Sequence, residues 1–227
     1  IVFGDWSSDV CSSDLTLASA WDNYQILVLP DEIELDDALA ARLRAHLARG
    51  GAILSTGNSG LDPAHARFVL DEWPAEYVGP DPHDPAYILF RPEFAQGMPD
   101  MPVTLYDKGT EIAAAPGSET LATIVAPYYN NAWDGRHGFV YTPPDRDTGR
   151  PAIVRKGRVA HVSHPVFRTY FTSAALPMRQ IVANLLDGFL PEPLVRAPGA
   201  PAFSRVTVTA QPGRRMEIGR ASCRERV

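Results

Sequence analysis

Residues 24–55 read YQILVLPDEIELDDALAARLRAHLARGGAILS, and this stretch decides the fold class. It opens with a continuous apolar run, residues 24–30, which is typical of a strand buried on both faces of a parallel sheet. Leucines then recur at every fourth position from Leu35 to Leu47, as they do on one face of a helix. A glycine pair ends this helix, and residues 52–55 form a second apolar strand. The sequence therefore predicts a strand–helix–strand unit with parallel strands, the building block of an α/β fold.

Beyond this unit the periodicity is weaker, and the predicted elements are shorter. Asp62 and Pro63 predict a helix start with proline at the first helical position, and this helix is expected to run to Trp73. Residues 79–102 are dense in Pro, Asp and Gly and predict a long irregular connection, and residues 128–150 predict a loop. The other expected elements are strands over 103–106, 111–114, 120–127, 152–155 and 158–163, a helix over 174–189, a linker over 191–201 and an alternating strand over 203–210.

Composition excludes several classes of protein. The chain has 227 residues, of which 45% are hydrophobic and 21% charged, and its formal net charge is -6. The acidic balance, without a central cluster of Lys and Arg, argues against a nucleic-acid partner. No apolar run approaches the ~20 residues that span a membrane. Dinucleotide and Walker glycine patterns are absent from the sequence, so we expect a globular domain without membrane, metal or cofactor.

The two ends of the chain differ from the rest. Residues 5–15 (DWSSDVCSSDL) and 217–227 (EIGRASCRERV) lack helix or strand periodicity and resemble translated sequencing-library adapters. We interpret residues 1–15 and 217–227 as adapter-derived; a Ser-rich linker and a basic tail are the alternative. Both cysteines, Cys11 and Cys223, lie in these segments. The first residue is Ile rather than Met, so the native N-terminus is expected to be absent and the sequence start carries no targeting information. The localisation is left as unknown, with the cytoplasm favoured over secretion.

The turn after the second predicted strand carries several polar side chains. Doubly wound folds bind ligands at such strand ends, and Ser55, Thr56, Asn58 and Ser59 stand there. Residues 57–60 (GNSG) are one residue short of a nucleophile elbow, which needs Gly-x-Ser-x-Gly. The spacing therefore favours an ordinary polar turn.

His164 follows directly after a predicted strand. An imidazole at that place can act as a base or bind substrate, with a purely structural role as the alternative. Its neighbour Ser163 is expected to point to the opposite face, because adjacent strand residues alternate. The spacing therefore predicts no Ser–His dyad here.

Residues 128–142 form an aromatic, amide-rich segment. Sugars suit such a mixture, because their C–H faces stack on rings while their hydroxyls bond to amides. An ordinary packed loop is the alternative. The side chains in question are Asn130, Asn131, Trp133, His137 and Tyr141.

Four stretches together carry a resemblance to a known family. They are residues 22–61, residues 128–144 (YYNNAWDGRHGFVYTPP), residues 152–170 (AIVRKGRVAHVSHPVFRTY) and residues 177–196 (PMRQIVANLLDGFLPEPLVR). They resemble the class I glutamine-amidotransferase-like domain that follows the catalytic barrel in large glycoside hydrolases, known in family 42 β-galactosidases as the trimerisation domain. The details are closest to α-L-fucosidase and alpha-amylase-like relatives. The resemblance implies a flavodoxin-like α/β fold: a mostly parallel sheet with helices on both faces.

The resemblance also implies that the domain is not catalytic. Amidotransferases of this class carry a cysteine on the elbow and a His-Pro-Glu motif after a late strand. Here the elbow has no cysteine, and Val166 follows His164 and Pro165. Residues 16–190 are then a docking and oligomerisation domain of a truncated glycoside hydrolase, without catalytic residues of its own. The catalytic (β/α)₈ barrel would be missing.

Further expectations follow from the same resemblance. Residues 191–202 would be a linker, and residues 203–216 would begin a truncated β-domain whose first strand has no visible partner. The parent enzyme would be a trimer-type homo-oligomer acting on a carbohydrate. The residues expected at the rim of a sugar pocket are Asn131, Trp133, His137, Tyr141, His164 and Arg168.

Two other functions stay open from the sequence. One is a stand-alone sugar-binding or sensory module of flavodoxin-like shape. The other is a hydrolase in which Ser59 or Ser55 acts with His164.

Overall fold

The computed structural model describes Trp21, residues 24–131 and 142–193, and the backbone of residues 205–211 and 214–220. The chain divides between Phe189 and Leu190 into two compact units. In chain order the elements are β1 Ile26–Leu29, α1 Asp37–Ala48, β2 Ala52–Thr56, β3 Ala75–Pro80, β4 Ala86–Phe90, β5 Val103–Leu105, β6 Thr110–Ala114, β7 Glu119–Pro127, β8 Pro144–Lys156, β9 Val159–Val162, α2 Val166–Ser173, α3 Leu176–Phe189, β10 Arg205–Gln211 and β11 Arg214–Arg220.

A seven-stranded sheet in the order β1-β2-β9-β8-β7-β4-β5 organises the first unit. β1, β2 and β9 are parallel neighbours, and the sheet continues through β8, β7, β4 and β5 by antiparallel pairing. A separate two-stranded sheet pairs β3 with β6. The predicted α/β, flavodoxin-like fold class is confirmed, and β1, α1 and β2 form the expected parallel unit.

Helix α1 begins after an aspartate cap and ends before a glycine, as the sequence predicts. The Asp36 carboxylate accepts a hydrogen bond from the Leu39 N–H at 2.7 Å and so caps the amino end. Gly50 follows the helix with a φ of +85°, a conformation that glycine adopts without strain. Ala40 and Leu43 are fully buried on the face that meets the sheet.

Alternate side chains of the strands point to opposite faces of the sheet, where they pack into two apolar layers. Ile53 and Val159 belong to the cluster on the α1 side, together with Leu43 and Trp73. Their neighbours in sequence, such as the fully buried Leu54, face the opposite side of the sheet. Four residues of α3 are buried outside that cluster: Met178, Ile181, Leu185 and Phe189.

The helix predicted over residues 62–73 is wrong, because the segment folds as successive turns. The Asp62 carboxylate accepts from the Ala66 N–H at 2.8 Å, which closes a turn instead of starting a helix. Phe68, Leu70 and Trp73 are all buried, and this spacing does not form one helical stripe. Burial of these three side chains on the core therefore overrides the proline signal.

The irregular connection predicted over residues 79–102 contains a strand, β4. Its sequence AYILF is short and lies between two proline-containing turns, which hid it in the composition. Likewise, β8 begins at Pro144, inside the loop predicted over 128–150. Strand–strand pairing with β7 supplies the order that the local sequence does not show.

The second unit contains an antiparallel hairpin of β10 and β11. The predicted strand over 203–210 was expected to have no partner, and the structure pairs it with β11, with Thr207 opposite Ile218. Strand β11 includes residues 217–220, which belong to the segment interpreted as adapter-derived. That interpretation stays a prediction.

Candidate functional site

Five strands end at one edge of the main sheet, which we call the carboxyl edge. The parallel strands β1, β2 and β9 define it, and the alternating directions of β8, β7, β4 and β5 bring the ends of β7 and β5 to the same edge. Three segments flagged in the sequence meet here: the turn after β2, His164 after β9, and Asn131 after β7. Helix α2, which carries Arg168, begins at this edge. Open α/β sheets bind ligands at such an edge.

Asp31, directly beyond β1, is the most connected polar group of this edge. Its side chain is 7% exposed, and its Oδ1 accepts from the Thr56 hydroxyl at 2.6 Å. Its Oδ2 accepts from the Arg168 N–H at 2.7 Å. Burial raises the pKa of Asp31, while these hydrogen bonds and the Arg168 charge act in the opposite direction. Asp31 thus joins β1, β2 and α2 at one point.

The serines at the end of β2 and in the turn after it are structural. Ser59 is fully buried, and its hydroxyl accepts from the Ile33 N–H at 3.0 Å. Ser55 is also fully buried, and its hydroxyl lies 2.9 Å from His161 Nδ1. The structure therefore pairs neither serine with His164, and the polar-turn interpretation describes this segment best.

Ser163 and His164 do make contact, contrary to the sequence expectation. The Ser163 hydroxyl lies 2.9 Å from His164 Nδ1, and His164 Nε2 lies 3.2 Å from Asp81 Oδ2. The strand has ended before Ser163, so the alternation that would separate these two side chains no longer applies. The order is hydroxyl, imidazole, carboxylate, as in nucleophilic hydrolases.

This array is closed to substrate. Ser163 is fully buried, His164 is 2% exposed and Asp81 is 5% exposed. Gly109 lies against the imidazole, where an added Cβ would be 2.5 Å from His164 Cγ. A nucleophile must reach a substrate atom, and this hydroxyl reaches only protein. The array therefore holds β9 and the β3–β6 sheet together.

Asp81 also anchors the loop that follows β3. Its Oδ1 accepts from the His83 N–H at 2.9 Å and lies 2.8 Å from His83 Nδ1. Burial by itself opposes ionisation of Asp81, but the hydrogen bonds and charge from His164 and His83 outweigh it, so its pKa is lowered. The Asp81 carboxylate thus lies between the imidazole rings of His83 and His164.

The loop anchored by Asp81 is in turn fixed to the end of β7. The Asn130 side-chain amide donates to the Pro82 carbonyl at 3.0 Å, and its Oδ1 accepts from the Asp84 N–H at 3.1 Å. The Asn131 N–H donates to the Asp84 carbonyl at 2.5 Å. Asn130 therefore ties the loop to the end of β7 through two side-chain hydrogen bonds to backbone groups.

A narrow crevice opens beside this loop. It encloses about 190 Å³ of empty space, part of it open solvent, and is lined by Asp81, His83, Thr110, Glu111, Ile112, Ile124, Arg150 and Pro151. Arg150 and Glu111 pair across it at 3.0 Å. Arg150 and Glu111 thus neutralise each other in the wall of the crevice. The crevice is too narrow to hold a sugar ring.

The six residues predicted at the rim of a sugar pocket fall into three groups. Asn131 is exposed at the carboxyl edge, and the Arg168 side chain is 46% exposed and lies 2.6 Å from Glu32. His164 reaches the same edge but is buried. Trp133, His137 and Tyr141 lie outside the described residues.

Sequence reasoning missed the two buried carboxylates, Asp31 and Asp81. Asp31 follows the first apolar strand directly, and a polar residue at that position was a usable signal. Asp81 lies in a segment expected to be irregular, so nothing local singled it out. The partners of Asp31 lie 25 to 137 positions away, and Asp81 contacts His164 from a distant strand end, so only the fold reveals these pairings.

The described residues offer neither a metal-binding cluster nor a membrane-spanning helix. Within the described ranges, no group of three or more His, Cys, Asp or Glu side chains is placed to hold a metal ion. In the same part of the chain, no helix is both long and apolar enough to cross a membrane.

Among the solved structures similar to this chain, one matches it over most of its length, and another shares its fold. The chain superposes on α-L-fucosidase isoenzyme 2 from Paenibacillus thiaminolyticus with a TM-score of 0.78 and 26% identity, covering 91% of this chain and 32% of the fucosidase. It superposes on a ThuA-like protein from Bacteroides uniformis with a TM-score of 0.52 and 10% identity, covering 78% of this chain and 74% of that protein. No protein-family model matches the sequence, and no curated protein is significantly similar to it.

These comparisons relate the chain to part of a glycoside hydrolase. The chain spans about a third of the length of the fucosidase that it matches. The ThuA-like protein, at 10% identity, supports the flavodoxin-like fold alone. The chain is therefore a glycoside-hydrolase-related domain of α/β architecture.

Proposed function

We propose that this chain is the non-catalytic docking and oligomerisation domain of a larger glycoside hydrolase. The observation that carries the proposal is the likeness to the fucosidase, which covers 91% of this chain but only 32% of the enzyme. The catalytic barrel of the parent enzyme would supply the reacting carboxylates, and this domain would position that barrel or a neighbouring subunit.

The chemistry of the described carboxyl edge supports a role without catalysis. Glycoside hydrolases canonically use two carboxyl groups that flank the scissile bond. The buried carboxylates here, Asp31 and Asp81, each face protein donors, and the Ser163 hydroxyl is fully buried. None of the three can touch a sugar in this arrangement.

The surface of the two C-terminal helices supports a role in association. Phe171 on α2 is 72% exposed and Leu176 on α3 is 65% exposed, with Tyr170 beside them at 36%. Large apolar side chains that cluster on a surface mark interaction sites more often than those that stand alone. We expect this surface to contribute to self-association.

Sedimentation equilibrium tests the oligomerisation role. We expect a reversible trimer, and we expect the double variant Phe171→Ser/Leu176→Ser to weaken association at least tenfold, about 1.4 kcal/mol. Met101→Ser is the matched control, because Met101 is 60% exposed and lies outside the helices. A monomer at every concentration, or equal weakening by Met101→Ser, would contradict the proposal.

A stand-alone sugar-binding module is the second candidate, and one observation favours it. Tyr128 is 71% exposed and Tyr129 42%, their rings pack edge to face at 6.2 Å, and Asn131 follows them at the carboxyl edge. Exposed rings beside an amide suit a sugar face. Calorimetric titration with L-fucose and D-galactose separates the candidates: tight binding by this chain alone would favour the module over the docking domain.

A further inference from the structure

The amino end of α2 lacks a capping side chain of its own. Pro165 occupies the N-cap position and makes no side-chain hydrogen bond. The first N–H groups of a helix nevertheless need acceptors. Asp31, which follows β1, provides them: its Oδ2 accepts from Arg168 at 2.7 Å and its Oδ1 from Phe167 at 3.4 Å. A carboxylate from the turn after a distant strand thus lies at the positive end of α2.

The rest of the Asp31 environment completes a small-anion cradle. The Thr56 hydroxyl donates to Asp31 Oδ1 at 2.6 Å and accepts from the Asp31 N–H at 2.8 Å. The cradle therefore combines one hydroxyl with two helix N–H groups, the donor set that helix N-termini in α/β sheets present to bound anions. With 7% exposure, Asp31 closes it to solvent.

The backbone is constrained to deliver this carboxylate. Asp31 has a φ of +55°, in the left-handed region that non-glycine residues rarely adopt. Gly57 packs against it so closely that an added Cβ would lie 2.7 Å from the Asp31 carbonyl oxygen. Strain of this kind persists where surrounding contacts hold it, and it marks a group with a specific task.

We propose that Asp31 is an internal ligand, whose carboxylate fills an anion-binding cradle formed by the Thr56 hydroxyl and the N–H groups of Phe167 and Arg168. It closes the position at which open α/β sheets bind external ligands. With the side chain removed, the cradle takes up a small carboxylate of the size of formate. This inference is independent of the docking role.

Thermal unfolding of Asp31→Gly in sodium formate, against sodium chloride at the same ionic strength, tests the proposal. Glycine retains the positive φ and removes only the carboxylate. At ten times its dissociation constant, formate should raise the folded-to-unfolded ratio of this variant about tenfold over chloride. The unsubstituted protein and Asp31→Asn should show no formate effect, because their cradles are filled.

Asp71→Gly is the matched control, since Asp71 is an exposed acid in another turn and lies outside the cradle. If Asp31→Gly does not fold in chloride, its refolding yield in formate becomes the readout, with Asp31→Ser as a second open variant. Absence of a formate effect in both open variants overturns the proposal. An equal effect in the unsubstituted protein or in Asp71→Gly overturns it as well.

Discussion

Gly57 shows how one residue decides whether two strand ends can meet. Its φ of +61° favours glycine, and its Cα faces the Asp31 backbone. In Gly57→Ala the new Cβ would lie 2.7 Å from the Asp31 carbonyl oxygen. We expect this variant to lose about 2–4 kcal/mol of unfolding free energy, from left-handed strain and displacement of the Asp31 turn. Urea unfolding measures it.

Gly117→Ala separates the two contributions to that loss. Gly117 has a φ of +79° with no atom near a built Cβ, so its replacement by alanine costs only the backbone strain, about 1–2 kcal/mol. Equal losses in the two alanine variants would show that the approach of Gly57 to Asp31 is unimportant.

His161 should make stability depend on pH. It is fully buried against the rings of Phe68 and Trp73, and burial lowers its pKa from 6.5 to about 3. Between these values the unfolded chain binds a proton that the folded chain excludes. The unfolding free energy should therefore fall as pH falls below 6.5, by up to about 1.4 kcal/mol per pH unit from this group.

Urea unfolding at several pH values between 5 and 7 checks this dependence. The readout is the slope of the unfolding free energy against pH. His161→Gln removes the titrating group. The slope of its unfolding free energy against pH should therefore be smaller than that of the unsubstituted protein, by up to about 1.4 kcal/mol per pH unit, the contribution of one proton. His65→Gln is the control, because the His65 side chain is 43% exposed. An unchanged slope in His161→Gln would contradict the assignment.

At the scale of elements, the cap of α1 is the simplest to test. The Asp36 carboxylate accepts from the Leu39 N–H at 2.7 Å, so Asp36→Ala should cost about 0.5–2 kcal/mol in urea unfolding. Asp37→Ala is the matched control: it removes a first-turn acid that interacts with the helix dipole, for a smaller expected cost of about 0.3–1 kcal/mol. A greater cost for Asp37→Ala would show that Asp36 is not the cap.

The elements that sequence predicts well are those whose signals are local. Helix α1 has its cap, its periodic leucines and its terminal glycine within one short stretch. Helix α2 has none of these, because its cap, Asp31, comes from the turn after β1. The reverse holds after β2, where Asp62 and Pro63 signal a helix and the burial of Phe68 and Trp73 produces turns instead. Local propensity decides only where tertiary contacts do not oppose it.

At the scale of the whole molecule, topology accounts for the part of the site that sequence could foresee. A strand followed by a polar residue predicts a position at the carboxyl edge, and this placed His164 and the turn after β2 correctly. The contact between His164 and Asp81 depends on how the β3–β6 sheet meets β9, which no spacing encodes. The sugar-rim role of Asn131 and Arg168 stays a proposal.

We propose that this glycoside-hydrolase-related chain has no glycosidase activity of its own. The most direct measurement is nitrophenol release from nitrophenyl α-L-fucoside and nitrophenyl β-D-galactoside by the purified chain. We expect nitrophenol release at the rate of buffer alone at every protein concentration. Release that rises in proportion to protein concentration would contradict it.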